Sequence, residues 1–187
     1  MRFLMTFGGM SACRSLARVL AGACLCALAS ACGMFGASIP ALRIGDVRVA
    51  AAPDANQNSP LVLAVVVVSD AAVAQRLMNP EQKWFSAGTD LAATYPTAVH
   101  AYYCEFTPGQ EMRLPRSLFA GQRAHAVFLF AVLGADERRA RIDHWRTGGV
   151  VSFGREGWSA QAAPNGGDRT GGPPEMECGA RNGARPS

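Results

Sequence analysis

Few residues in this 187-residue chain could do chemistry: six cysteines, three histidines and a sparse set of carboxylates. A thiol can attack, hold a metal, pair with another thiol or accept a lipid. The histidines are His100, His125 and His144, candidate bases or ligands. Their spacing removes most of this chemistry. No Cys-x-x-Cys, His-x-His or His-Glu-x-x-His occurs, so a metal centre has no sequence support. His100 and Cys104 share a face of one predicted strand, but four residues along a strand span about 13 Å, too far for a nucleophile and its base. No Gly-x-Ser-x-Gly elbow is present. Gly148-Gly149 and Gly171-Gly172 lack the Lys and the strand–loop–helix setting of a phosphate loop. Arg138-Arg139-Ala140-Arg141 reads as a solvated strand face, and Tyr102 and Tyr103 point to opposite faces, which makes no base-stacking platform. The chain is therefore expected to be non-catalytic and to use no cofactor.

One cysteine has an informative context. Arg2, Arg14 and Arg18 come first, then an apolar run from Val19 to Ala31, then the small residues Ala29-Ser30-Ala31 and Cys32. Charged, apolar and small-residue regions in that order form a secretory signal. The run has 13 residues, too few to cross a hydrocarbon core of about 30 Å as a helix. Its end is similar to a bacterial lipobox, which places lipid on Cys32 and starts the mature protein there. An ordinary secretory signal cut near Ala31 is the alternative. Gly33 follows the cysteine. An Asp there would favour inner-membrane retention, so the expected location is the outer membrane, on its periplasmic face, held by lipid.

The remaining cysteines then sort themselves. Cys13, Cys24 and Cys26 leave with the signal, and Cys104 and Cys178 stay in the body. A periplasmic address permits a disulfide between those two, and two free thiols are the alternative. The formal charge of +4 includes three signal arginines and no signal acid, so the mature chain is near +1. No basic field remains to suggest nucleic acid.

The elements around these residues are mostly strands. Ile44 to Ala52 alternates and is predicted as the first strand. Leu61 to Val68, LVLAVVVV, is predicted as a central strand buried on both faces. Between them, Pro53 to Pro60 is dense turn chemistry. Asp70 is placed to cap a helix from Ala71 to Met78, stopped by Asn79-Pro80. Trp84-Phe85 is an aromatic anchor, and Ser86 to Tyr95 is predicted as further helix. Strands are expected at Ala98 to Phe106, Glu111 to Leu114, Ala124 to Leu133, Arg138 to Trp145 and Val150 to Phe153. Six or seven strands with few helices argue for an all-β sandwich of two sheets with a small helical insertion. The expected domains are a signal at 1–31, a tether at 32–42, the sandwich at 43–153 and a tail at 154–187. That tail of 34 residues holds eight Gly and four Pro. It is read as low-complexity and mostly disordered.

Pro53-Asp54-Ala55-Asn56, Ser59-Pro60-Leu61-Val62, and Thr107-Pro108-Gly109-Gln110 ahead of a short strand ending in Leu-Pro resemble the TssJ-type outer-membrane lipoproteins of type VI secretion systems. The resemblance covers roughly Arg43 to Asp143. The sequence departs from the family at Val67-Val68-Ser69-Asp70, at Trp84-Phe85 and in the long tail. What the resemblance implies is a lipid-anchored β-sandwich that binds the periplasmic domain of an IcmF-like (TssM) inner-membrane protein and helps assemble the machine's membrane complex. It implies contact through the loop between the first two strands, here Asp54, Asn56, Gln57, Asn58 and Ser59. That loop has no apolar residue larger than Ala55, so it is expected to gain nothing from burying its own side chains and to bind through hydrogen bonds. An unrelated periplasmic β-sandwich lipoprotein, an envelope adaptor or an enzyme inhibitor, is the other reading.

Overall fold

The computed structural model describes residues 38–164 and 172–180. By its contacts the chain divides into Met1–Ser38 and Ile39–Ser187. The signal and Cys32 lie outside the described residues, and the architecture below is that of the second unit.

Nine strands are present among the described residues: β1 (Val47–Ala51), β2 (Leu61–Val68), β3 (Val99–Phe106), β4 (Glu111–Arg113), β5 (Ala126–Leu133), β6 (Asp136–Arg141), β7 (Gly149–Phe153), β8 (Trp158–Ala162) and β9 (Cys178–Ala180). They form a four-stranded sheet in the order β4-β1-β7-β8 and a five-stranded sheet in the order β6-β5-β2-β3-β9. The β1–β7 pair is parallel and the other pairs are antiparallel. The all-β sandwich expected from the sequence is the observed class.

β2 sits at the centre of the larger sheet because its residues are apolar on both faces. Leu61, Leu63, Val65 and Val67 face the smaller sheet, together with Val127, Leu129, Ala131, Val49, Val151 and Phe153. Ala64, Val66 and Val68 face the other way, with Phe128, Phe130 and Tyr103, against the helical insertion between β2 and β3. This insertion holds α1 (Ala71–Met78), a π-helical turn at Trp84–Gly88 and α2 (Thr89–Thr94). Asp70 accepts a hydrogen bond from the Val73 N–H, so α1 starts where the cap predicts. Trp84 is fully buried, stacked on Phe130 with ring centroids 5.5 Å apart, and its indole N–H donates to the Tyr103 hydroxyl at 3.1 Å. Gly88 lies flat against that ring; a Cβ there would overlap it.

The last part of the chain corrects the expected boundary at residue 153 and the expected disorder. β8 pairs with β7 along Trp158–Ala162. Beyond it, the Met176 N–H donates to the Arg113 carbonyl and the Arg113 N–H to the Pro174 carbonyl, extending the β4 edge. Met176 is buried between the sheets at 3% exposure. β9 then pairs with β3, and Cys178 stands directly opposite Cys104 in a disulfide with a Cα–Cα distance of 4.3 Å. Residues 172–180 are thus a strap across one open side of the sandwich. Composition misjudged this segment because strands of three and five residues carry no readable periodicity. Sheet edges and a covalent bond order it, rather than a hydrophobic pattern of its own. Residues 165–171 and 181–187 lie outside the described set.

Smaller corrections concern β1, which begins at Val47 rather than Ile44, and β6, which ends at Arg141. Ile142 to Trp145 turns instead, and Trp145 packs over Gly149.

Candidate partner-binding loop

The segment from Asp54 to Ser59 carries the chain from one sheet to the other. It is wound left-handed: Asn56, Gln57 and Asn58 have φ of 48°, 54° and 63°. Left-handed backbone costs roughly 1–2 kcal/mol per L-residue, with Asn among the most tolerant side chains. Gln57 has no such tolerance, so the turn must be held from outside.

The holding groups are specific. Ala55 is completely buried in the inter-sheet core. Its N–H donates to the Ala52 carbonyl at 2.9 Å, and the Asn56 N–H donates to the Gly154 carbonyl at 3.2 Å. The Asn56 side chain works in both directions. Its Oδ1 accepts from the Gly134 N–H and its Nδ2 donates to the Pro60 carbonyl, both at 3.1 Å. This overturns the expectation that burial of its own side chains contributes nothing to the loop: Ala55 is small, but it is the peg.

All five residues singled out from the sequence lie in this one turn. Asp54, Gln57, Asn58 and Ser59 face solvent, while Asn56 is half-buried and ties the loop to the β5–β6 turn. Asn56 is thus a positioning residue. Next to the turn lies an open pocket of about 430 Å³, lined by Asn56, Gln57, Ser59, Pro60, Val62, Phe85, Val132 and Gly134. Sequence reasoning missed it, because its walls come from three separate segments.

It also misread the arginine cluster on β6. Arg138 does face solvent and pairs with Asp136. Arg139, however, donates to the Leu77, Met78 and Asn79 carbonyls at the end of α1. Glu137, on the same face, accepts from the Trp84 and Phe85 N–H groups that begin the next helical stretch. A cation meets a helix C-terminus and an anion meets a helix N-terminus, each with its favoured sign. Strand alternation was the available signal, since it puts residues 137, 139 and 141 on one face. Elsewhere, Arg116 grips Asp46 with two contacts of 2.7 Å, and that hydrogen-bonded guanidinium holds the Asp46 carboxyl below its ordinary value. Among the described residues, no group of three or more His, Cys, Asp or Glu side chains could hold a metal ion.

No protein-family model matches the chain, and no characterised protein matches it by sequence. Two solved structures are similar. The type VI secretion lipoprotein TssJ1 from Pseudomonas aeruginosa is 17% identical, with 67% of this chain and 100% of that one covered and a TM-score of 0.47. Lip from Serratia marcescens, a membrane-bound component of the type VI secretion system, is 14% identical, with 63% and 96% covered and a TM-score of 0.42.

Proposed function

We propose that this chain is a non-catalytic, TssJ-like lipoprotein, carried by lipid on Cys32 at the periplasmic face of the outer membrane. It binds the periplasmic domain of an IcmF-like (TssM) inner-membrane protein through Asp54, Asn56, Gln57, Asn58 and Ser59, and so helps to assemble and anchor the membrane complex of a type VI secretion system. The observation that carries this reading is the held left-handed turn at Asn56–Asn58. Strain concentrated in a polar, exposed turn and resisted by a rigid frame is a mark of a functional loop. A turn already fixed loses little freedom on docking, so its hydrogen bonds, worth about 0.5–1.5 kcal/mol each, go further toward affinity. The tether sets the range. Six residues lie between Cys32 and Ile39, the start of the compact unit, so at most about 25 Å of chain joins the two. The tether enters beside Ala124, before β5, whereas the turn is bonded to Gly134, after it, so the loop stands at the end of the sandwich away from the lipid tether.

Replacing Asp54–Ser59 by a Gly-Ser linker is expected to weaken binding to the TssM periplasmic domain at least tenfold, about 1.4 kcal/mol, in calorimetric titration. An unchanged affinity removes the loop from the interface. No binding by the unaltered chain removes the secretion reading and leaves the envelope adaptor or inhibitor. Cys32→Ser is expected to release the protein from the membrane fraction or stall its processing. A variant that matures and stays membrane-bound like the parent would defeat the lipid assignment.

A further inference from the structure

The docking turn borders an apolar floor that the fold leaves unfilled. The helical insertion covers Ala64, Val66, Val68, Phe128 and Phe130 completely. It stops short of the loop end of the same sheet face, where Val62 on β2 and Val132 on β5 stay half-exposed. Phe85 walls one side, and its backbone is fixed by the Glu137 carboxylate while its ring meets Tyr103 edge-on at 6.3 Å. Asn56 fixes the other side by joining the turn to Gly134. Thus both walls of the 430 Å³ space are pre-built.

We infer that this pocket is the anchor point of the interface: it takes one bulky, neutral, aromatic side chain from the protein that docks on the Asp54–Ser59 turn. The inference rests on the docking reading above and gives the partner's contact its chemistry. None of the eight lining residues is charged, which disfavours an ionic occupant. A second cavity of about 400 Å³, lined by Lys83, Glu137, Arg138 and Arg139, shows the contrast. The volume suits an aromatic ring, and the pocket opens beside the exposed turn instead of closing over a free ligand. At the rim, the Gln57 amide and the Ser59 hydroxyl are placed to bond the polar tip of such a ring or the backbone beside it. Aromatic side chains buried in a pocket and ringed by water-excluding contacts are enriched among the residues that dominate interface energetics. The contact is therefore a plug with a polar collar, not the purely hydrogen-bonded contact that the loop's composition suggests.

Two measurements on the full chain test this. N-acetyl-tryptophanamide is titrated while the backbone amide resonances are followed by NMR. Shifts are expected at Gln57, Ser59, Val62, Val132 and Gly134, and are expected to vanish in Val62→Phe, which fills the floor, and in Val132→Asn, which makes it polar. Shifts scattered over other surfaces, or unchanged in both variants, overturn the pocket. In parallel, Val62→Phe is titrated with the TssM periplasmic domain, with a loss of at least tenfold expected. If the Gly-Ser loop variant loses binding and Val62→Phe and Val132→Asn do not, the pocket is excluded while the docking reading stands. If the probe binds as expected and the unaltered chain ignores the TssM domain, the pocket stands and the choice of partner fails. Thermal melts separate a filled pocket from an unfolded variant, and either floor variant suffices.

Discussion

The two faces of the five-stranded sheet are closed in different ways. The inner face meets a second sheet and is secured by the strap at 172–180, with a covalent bond between residues 74 apart in sequence. The outer face meets the insertion between β2 and β3 and is secured by two side chains of one edge strand, Glu137 and Arg139. The difference follows from sequence distance. The insertion is tethered at both ends to the strands it covers, so its return is cheap in entropy and weak polar ties suffice. The strap comes from the far end of the chain, so the loop that its bond closes is longer and its closure costs somewhat more.

Breaking the covalent tie should have the largest effect. In the chain-entropy account, a loop of this length contributes about 4.5 kcal/mol. Cys104→Ala with Cys178→Ala is expected to lose stability of that order in urea unfolding. A loss below about 1 kcal/mol would show that the strap is held without its bridge. On the other face, Trp84→Ala removes the ring between Phe130 and Gly88 and is expected to cost about 3–5 kcal/mol. The disulfide should survive, as intact mass without reductant would show.

Arg139→Met and Glu137→Gln test the polar ties. Each leaves helix-end groups without a charged partner and is expected to cost about 1–3 kcal/mol. Hydrogen exchange should quicken in α1 and around Trp84, and stay slow in β1 and β7. Equal acceleration on both sheets would erase the distinction between the faces. The smallest effect belongs to the Asp46–Arg116 tie, which joins the residue before β1 to the short helical turn after β4. The folded Asp46 carboxyl is held low. Its contribution is therefore present above the unfolded carboxylate value, near pH 4, and is lost as pH falls through the folded value. Asp46→Asn should lower the melting temperature slightly at neutral pH and by less at an acid pH below the folded value. An equal deficit at both pH values would show that the ion pair is not its cause.

Much of the sandwich was legible because β2 and β5 are eight-residue apolar runs, and only a strand covered on both faces needs that pattern. α1 was legible through Asp70 and Asn79-Pro80, which act locally. The strap was legible only in its cysteines: sorting them left Cys104 and Cys178 as the candidate pair, while the pairing of β9 and the burial of Met176 leave no local trace. The loop was half legible. Its polar residues marked it, but the left-handed winding of Gln57 depends on Gly134 and Gly154, far along the chain. The pocket depends on where the insertion stops, which is a property of packing alone.

The strap also sets an order in time. The free edge of β3 can be covered only after residues 178–180 have emerged, so every stage of synthesis between β3 and that point carries an open strand edge and an unbridged Cys104 thiol. A chain cut between Phe106 and Cys178 keeps both. Closure of that edge therefore reports that the chain has reached residues 178–180, readable as the disappearance of two thiols, and a product cut between β3 and Cys178 stays marked as unfinished.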